Sequence, residues 1–419
     1  MKLHLTTAFS VFLALTAGMQ VQAQTNYTLQ KALQTARSNN PILKTEQYNI
    51  EIAQTDVISA KLRPNLTLNN QLLQLGQPSH FPTNTNWLSG QNHQIWWQLT
   101  KPFQVAGQRK YKMEVANKNV AFAEKKYAEI ERDLFSQVAA KWMEVWTAQK
   151  QLDIIQTAKD NIDSLVTTNK LRFKNQVITQ TDLFRTELLA KQYDIQYKTS
   201  RQELINRQKE LKFLIGTQDS VSIDSDDAFL FAISSNIDSL MNQSLQTRSD
   251  IQAAKSLMDV SESNIKLQKS FAVPQPELGV IYNPQNTIQY FGIYATIDLP
   301  FFNRNQGEIK KSYLLQKQAE QNLVTIQTQL QTEISTAYAS YDLQRKNIEN
   351  FKTVLSQSEI ILENVKFAYL KGGTTIIDFL EAQRSWLETQ QQYYVALQQY
   401  RQSYIQLLYA TGLINQLAQ

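Results

Sequence analysis

The chain has 419 residues, with 42 lysines and arginines against 37 aspartates and glutamates, and no cysteine. The lack of cysteine excludes disulfides, thiolate metal sites, a cysteine nucleophile and a lipidated N-terminal cysteine. The net charge of +5 is spread over segments in which bases alternate with acids. This pattern is typical of solvated helix surfaces, so we expect no nucleic-acid partner.

The first residues predict a secretion signal. Lys2 precedes an apolar segment over residues 5–17, and a small-x-small pattern ends at Ala23. We therefore expect a signal peptide over residues 1–23 and export from the cytoplasm. No later stretch reaches the ~18 consecutive apolar residues of a transmembrane helix.

The first half of the mature chain predicts helices separated by two short strands. A helix is expected over residues 29–62, interrupted near Asn40 and Pro41. Alternating apolar and polar residues then predict strands at residues 65–75 and 93–100. Such alternation is compatible with a membrane barrel wall and also with an amphipathic sheet in a soluble domain.

The next segment predicts an unusually long helix. No proline or glycine occurs from residue 108 to residue 172, which favours one uninterrupted helix. At 1.5 Å per residue this helix would be about 90–100 Å long, far longer than helices of globular domains. A helix over residues 182–215 follows, and a segment rich in aspartate and serine then connects the two halves.

The second half predicts the same elements in the same order. Helix 238–269 precedes strands 277–283 and 290–299, a long helix over residues 308–368 and a shorter helix over residues 378–409. The long helix carries an apolar stripe with spacings of three and four, typical of a coiled-coil seam. Its residues are Leu323, Ile326, Leu330, Ile334, Ala337 and Tyr341.

The two halves also match in sequence. Residues 173–183 align without a gap with residues 369–379, and the same spacing aligns residues 214–216 with residues 410–412. This match predicts a tandem duplication. The expected organisation is a first repeat over residues 24–216, an equatorial linker over 217–237, a second repeat over 238–412 and a tail over 413–419.

Gly372 and Gly373 lie where the long helix of the second half must reverse its direction. Glycine permits the positive φ that ends a helix, and the β-branched residues 374–377 favour extended backbone. Asp378 is then expected to begin the next helix as its N-cap. In the first half, Asn175 is expected at positive φ in place of glycine, and Asp182 is the equivalent N-cap.

At this turn and in its duplicated plan, the chain resembles the TolC family of outer-membrane efflux channels. Residues 369–383 carry the tyrosine, the glycine and the Asp-x-Leu-x-Ala-Gln of that family, and the resemblance covers nearly the whole mature chain. It implies a mainly α fold with long coiled-coil hairpins that form a periplasmic tunnel. It also implies a homotrimer in which each protomer contributes four strands to a twelve-stranded barrel in the outer membrane. Pro102 and Pro300 would mark the barrel-to-helix corners.

The resemblance also implies a constriction near the second hairpin turn. Tyr369 matches the family's tyrosine, and Asp378 and Glu381 match its two acidic positions. Thr374 occupies the position of the family's arginine, which leaves the ion-pair latch between protomers without its cation. Asp182 is the acid equivalent to Asp378 in the first repeat.

The hairpin tips would dock a periplasmic adaptor protein through Phe173, Asn175, Thr181, Gly372 and Gly373. Two readings stay open for several of these residues. Asp378 and Asp182 either cap helices only or, as Asp378 with Glu381, form acidic rings at a narrow tip. Tyr369 either packs in the coiled coil or acts in the gate.

Two further groups of residues have candidate roles. Six aromatic residues could form an interfacial girdle, although neighbours in a strand must face opposite sides. They are Trp87, Trp96, Trp97, Tyr282, Tyr290 and Tyr294. His80 and His93 have no acidic cluster at ligand spacing, so we expect no metal site.

The sequence contains no nucleotide-binding loop and no hydrolase or metalloprotease motif. We therefore expect a conduit without a cofactor rather than an enzyme. The expected function is the exit duct of a tripartite efflux or type I secretion system. An inner-membrane transporter, of the RND class in most such systems, would supply the energy through the adaptor. A soluble periplasmic coiled-coil protein and an extracellular adhesin remain alternatives.

Overall fold

The computed structural model describes residues 25–224, 236–285 and 288–418. The predicted signal peptide over residues 1–23 and part of the predicted linker, residues 225–235, lie outside them. Within the described residues, no helix combines the length and the apolar character that crossing a bilayer requires.

The elements occur in the same order twice. After a short strand β1 (Thr25–Tyr27), the first set is α1 (Leu29–Asn39), α2 (Pro41–Lys61), β2 (Thr67–Gln74), β3 (His93–Pro102), α3 (Gln108–Lys174) and α4 (Gln180–Ile215). After a short strand β4 (Val221–Ile223), the second set is α5 (Ile237–Thr247), α6 (Ser249–Phe271), β5 (Glu277–Gln285), β6 (Ile288–Thr296), α7 (Gln306–Leu370) and α8 (Ile376–Thr411). The predicted fold class, mainly α with long hairpins and two pairs of strands, is confirmed.

Helices α3 and α7 are the two long helices that the proline and glycine spacing predicts. They contain 67 and 65 residues, so each is about 100 Å long at 1.5 Å per residue. Leu330, Ile334 and Ala337 of the predicted seam are buried. Packing along this stripe stabilises a helix that propensity alone would leave marginal.

Two predicted boundaries are wrong. The helix expected over residues 238–269 is interrupted at Arg248, whose backbone is extended with ψ 130°. The break at Asn40 was visible because proline follows it, whereas serine follows Arg248 and leaves no such signal. Strand β6 ends at Thr296 rather than at residue 299. Pro102 is the last residue of β3, whereas Pro300 lies after the end of β6.

The chain divides into two compact units. One contains residues 1–44, 130–245 and 330–419. Its core includes Trp142, which is fully buried and donates a hydrogen bond from Nε1 to the carbonyl oxygen of Tyr27 at 3.0 Å. Gly216 ends α4 at φ 69°, and the side-chain amide of Asn40 donates to the carbonyl oxygen of Leu214 at 2.7 Å. The last carbonyls of a helix have no N–H partner within that helix. Asn40, at the break between α1 and α2, thus provides a donor for one of them in α4.

The other unit contains residues 45–129 and 246–329. Its four strands form one antiparallel sheet in the order β2-β3-β5-β6. The register places Leu68, Leu99, Val280 and Ile293 side by side across the four strands. Within the described residues, β2 and β6 each pair with one strand only.

One face of this sheet is apolar, and we call it the apolar face. It carries the row just named, together with Trp97, Tyr282 and Phe291. Ile293 and Phe291 are 88% and 78% exposed. The opposite face, here called the polar face, carries mostly amides, hydroxyls and aromatic rings, and its Thr100 and Asn283 are buried. Large apolar side chains of this sheet are thus exposed while Thr100 and Asn283 are buried, the reverse of what is expected for a sheet packed in a water-soluble domain.

The strand register separates the six predicted girdle residues. Trp97 and Tyr282 lie on the apolar face, whereas Trp96, Tyr290 and Tyr294 alternate to the polar face. Trp87 lies in the loop between β2 and β3, where its ring meets Phe81 edge to face. Of the five that lie in strands, only Trp97 and Tyr282 are therefore on the face that could carry an interfacial girdle, because successive residues of a strand point to opposite sides.

Gly216 offers a test of the helix ending that joins α4 to the α1–α2 break. It adopts positive φ, and a Cβ at this position would lie 2.7 Å from the carbonyl oxygen of Asn39. We expect Gly216→Ala to destabilise the protein by roughly 1–2 kcal/mol or more, because strain and overlap add. Gly307→Ala is the control, since nothing lies within 4 Å of its Cβ position. Thermal unfolding in detergent should lower the midpoint only for Gly216→Ala, and equal midpoints would contradict the assignment.

Candidate functional site at the hairpin turns

The two hairpin turns, α3 to α4 and α7 to α8, have the same backbone conformation. Gln176 has φ 61° and Gly372 has φ 76° at equivalent positions. The prediction of positive φ at Asn175 is therefore wrong by one residue. Glutamine adopts this conformation less readily than glycine, so the first turn carries more backbone strain than the second.

The residues after these positions close the helices in the same way. The N–H of Val177 donates to the carbonyl oxygen of Arg172 at 2.8 Å, and the N–H of Gly373 donates to that of Ala368 at 2.8 Å. Both bonds belong to the Schellman pattern that satisfies the last carbonyls of a helix. The position of Gly373 therefore accepts a β-branched valine in the first repeat.

Both following helices begin with a capping box. Thr179 accepts a hydrogen bond from the N–H of Asp182 at 3.2 Å, and Thr375 accepts one from Asp378 at 3.2 Å. The carboxylate of each aspartate in turn accepts a hydrogen bond from the backbone N–H of its threonine. The predicted N-caps Asp182 and Asp378 are thus wrong. The threonines are the N-caps, and the aspartates lie three residues later. The Thr-x-x-Asp spacing was the missed signal.

Thr374 reinforces the second box. Its hydroxyl donates to Oδ2 of Asp378 at 2.7 Å. The hydroxyl of Thr375, the hydroxyl of Thr374 and the N–H of Thr375 together hold the pKa of Asp378 below its ordinary value. Because this pKa is lowered in the folded protein, the stabilisation is present at neutral pH and is lost as the pH falls through the lowered pKa, below about 4.

Tyr369 is 3% exposed and begins a hydrogen-bond chain between the hairpins. Its hydroxyl donates to Oδ1 of Asn169 at 2.9 Å, and Nδ2 of Asn169 donates to Oγ1 of Thr186 at 2.9 Å. The Thr186 hydroxyl donates in turn to the carbonyl oxygen of Asp182 at 2.9 Å. This chain, the Tyr369–Asn169–Thr186 bridge, connects α7 to α3 and α4.

The ring of Tyr369 is held as firmly as its hydroxyl. It stacks on Phe379 with centroids 5.4 Å apart, and the guanidinium of Arg172 lies 4.7 Å from the ring centroid. Burial raises the pKa of Tyr369, so the hydroxyl remains a neutral donor at physiological pH. The surrounding apolar cluster is formed by both hairpins and includes Ile162, Leu165, Leu189, Leu362, Ile376 and Leu380.

Asn169 and Thr186 were not predicted, although both are fully buried. The available signal was a polar residue at a position where the apolar stripe of its helix should continue. The remaining predicted site residues lie on the surface. Glu381 is exposed, Asp182 is half-buried and lies 3.8 Å from Arg185. The predicted docking residues Phe173, Asn175, Thr181, Gly372 and Gly373 are all exposed.

The hairpin tips also expose large apolar side chains. These are Leu171, Val177, Phe367, Leu370 and Ile377. Elsewhere in the described part of the chain, His80 and His93 included, no histidines and acids cluster in a way that would hold a metal ion.

The matched turns give one prediction that separates the two glycines. We expect Gly372→Val to open the second turn, because a β-branched residue is strained at φ 76° by roughly 1–2 kcal/mol. Gly373→Val is the control, since Val177 occupies the equivalent position. Hydrogen exchange of amides 368–380 should accelerate only in Gly372→Val. Equal acceleration in both variants would refute the equivalence of the turns.

The Tyr369–Asn169–Thr186 bridge gives a second prediction for this site. We expect Tyr369→Phe to lower the opening free energy of the second hairpin by ~1–3 kcal/mol, because Oδ1 of Asn169 stays buried without a donor. Thr186→Val should act similarly, and the double variant should cost less than the sum of the two. Tyr48→Phe, on an exposed tyrosine, should change nothing. Strict additivity measured by hydrogen exchange would argue against a coupled bridge.

Comparison with known proteins places this architecture. The family model described as outer membrane efflux protein matches residues 32–217 and 240–413. No individual curated protein matches the chain.

Several solved structures share the fold. CusC has a TM-score of 0.74 at 17% identity, over 93% of this chain and 92% of that one. The Campylobacter jejuni CmeC outer membrane channel has a TM-score of 0.74 at 16% identity, over 94% and 90%. VceC from Vibrio cholerae has a TM-score of 0.70 at 17% identity, over 92% and 96%.

The family match covers most of the chain and falls on both halves of the duplicated plan. The chain therefore belongs to the outer membrane efflux protein family: it is an efflux channel of the outer membrane that extends into the periplasm, a transport conduit rather than an enzyme.

Proposed function

We propose that this channel is the exit duct of a tripartite efflux or type I secretion system and that three copies close its sheets into one barrel. The observation that carries the proposal is the sheet, whose apolar face is exposed while its two outer strands lack a second partner. An unpaired strand edge in lipid costs several kcal/mol per backbone group. Three sheets of four strands give twelve strands, a number that can close.

In this assembly the apolar face contacts lipid and the polar face lines the lumen. Pro102 and the segment around Pro300 then form the corners at which barrel strands give way to helices. Pro102 suits this place because a missing N–H is tolerated at the end of a ladder. For the domains we propose the limits that the sequence predicts, with repeats over residues 24–216 and 238–412, a linker over 217–237 and a tail over 413–419.

The hairpin tips are the proposed docking site for a periplasmic adaptor protein. Their exposed apolar residues, Leu171 and Val177 on one hairpin and Phe367, Leu370 and Ile377 on the other, offer the surface that a helical partner needs. The adaptor would couple the duct to an inner-membrane transporter of the RND class. The duct itself is passive and needs no cofactor.

The proposed gate consists of Tyr369, Thr374, Asp378, Glu381 and Asp182. Opening the tip requires the second hairpin to leave the first, and the bond from Tyr369 to Asn169 opposes this movement. Asp378 stays ionised because its pKa is lowered. Three copies of Asp378 and Glu381 around a narrow tip would therefore favour cations and oppose tight closure.

Cysteine cross-linking tests the barrel directly, because the chain has no cysteine of its own. Asn70→Cys on β2 is combined in turn with Gln289→Cys, Phe291→Cys or Ile293→Cys on β6, all on the same face by register. The two outer strands of one sheet are about 14 Å apart at ~4.8 Å per strand, too far for a disulfide within one copy. We expect at least one pair to give a covalent trimer in membranes.

Asn70→Cys with Tyr290→Cys is the matched control, since Tyr290 lies on the opposite face and should not cross-link. Only monomers in every same-face pair, in outer-membrane preparations, would rule out closure between copies. Covalent trimers from the control pair alone would place the register on the wrong face.

A further inference from the structure

The polar face of the sheet has an unusual composition. Three successive rows cross all four strands, and these described rows contain no acidic or basic side chain. The first row is Gln71, Trp96, Asn283 and Tyr290; the second is Asn69, Gln98, Ile281 and Gly292; the third is Thr67, Thr100, Gly279 and Tyr294. The position of Trp96 beside Asn283 follows from the pair Trp97 and Tyr282 by one step of the register.

In the second and third rows, two pairs of polar side chains are joined by hydrogen bonds. Nδ2 of Asn69 donates to Oε1 of Gln98 at 3.2 Å. Tyr294 extends over Gly279, where any Cβ would overlap its ring, and its hydroxyl shares a hydrogen bond with that of Thr100. These two rows therefore form a smooth, uncharged wall.

The first row, which we call the aromatic row, is different. Nε1 of Trp96 and Oδ1 of Asn283 are both buried and have no hydrogen-bond partner among the residues that the structure describes. Asn283 is 6% exposed. Neighbouring strands are ~4.8 Å apart, so this donor and this acceptor occupy adjacent positions flanked by the rings of Trp96 and Tyr290. Unpaired buried groups are rare in native proteins because they are costly.

We propose that the aromatic row is a binding site for uncharged aromatic solutes passing through the channel. The ring of the solute stacks on Tyr290, which is 54% exposed, or on the half-buried Trp96. Because Nε1 of Trp96 and Oδ1 of Asn283 have almost no accessible surface, these two side chains must turn towards the solute. Its polar substituent then accepts from the indole N–H and donates to the amide oxygen of Asn283. The inference rests on the proposed function, because the polar face lines a lumen only if three copies close the sheet. Two rings from each of three copies would then form a ring of six around the lumen.

The absence of charge in these rows selects against ions. An anion or cation that sheds water at the aromatic row meets no countercharge in any of these three rows, and the acid of the sheet on this face, Glu277, lies in the row beyond them. The ring faces alone attract cations weakly, by the quadrupole of the aromatic system. A cationic aromatic solute is therefore the rival ligand that the experiment must separate.

Single-channel recording in planar bilayers tests the proposal with phenyl β-D-glucoside as the neutral aromatic probe. Methyl β-D-glucoside is the matched probe without a ring, and benzyltrimethylammonium is the cationic aromatic probe. We expect phenyl glucoside to cause concentration-dependent interruptions of the current that methyl glucoside does not cause. Trp96→Ala should weaken its apparent affinity about 3- to 10-fold through loss of one stacking partner, and Asn283→Leu should weaken it as well.

Trp97→Ala is the control on the apolar face and should leave the interruptions unchanged. A conducting channel that both glucosides interrupt equally, or whose affinity for phenyl glucoside is unchanged in Trp96→Ala, overturns this inference and leaves the proposed function intact. Tighter binding of benzyltrimethylammonium than of phenyl glucoside overturns the assignment to uncharged solutes. If no variant or wild-type preparation conducts or forms trimers, the proposed function fails together with this inference.

Discussion

Backbone hydrogen bonds at the edges of the four-stranded sheet constrain the rest of this protein. In the described part of the chain, strands β2 and β6 each leave one side of their ladder without a partner, and the same sheet exposes Leu68, Leu99, Val280 and Ile293 on one face. In water the apolar face is unfavourable, and in lipid the open edges are unfavourable. Lipid would cover the apolar face, and association between copies of the chain would pair the open edges. The proposed assembly would thus follow from the sheet itself.

A second feature of the structure is that the helix boundaries of the first half are repeated in the second. A residue with positive φ follows the end of each long helix. A Thr-x-x-Asp capping box then begins the shorter helix that comes next. The two hairpins nevertheless differ at one position of the proposed gate. Tyr369 stands in the second repeat where Phe173 stands in the first, and only the tyrosine can donate to Asn169. The two repeats thus share the same backbone plan, and a few polar side chains that differ between them connect one hairpin to the other.

Much of this could be predicted from the sequence, for identifiable physical reasons. Proline and glycine cannot lie inside long regular helices without cost, so their absence located α3 and α7 to within a few residues. Period-two alternation located the strands. The faces of Trp96 and Trp97 were known to differ, but their assignment needed the register of β3 against β5. Asn169 and Thr186 were missed because their partners lie on other helices, and no local pattern encodes such a pairing. The capping threonines were missed because threonine and aspartate both favour helix starts.

The most direct test of this account is hydrogen exchange at the outward-pointing amides of β2 and β6 in the protein embedded in lipid. Pairing between copies predicts that these edge amides exchange as slowly as those of the inner strands β3 and β5. Exchange as fast as in the loop between β2 and β3, while the inner strands remain protected, would show that the edges stay open and would contradict the account.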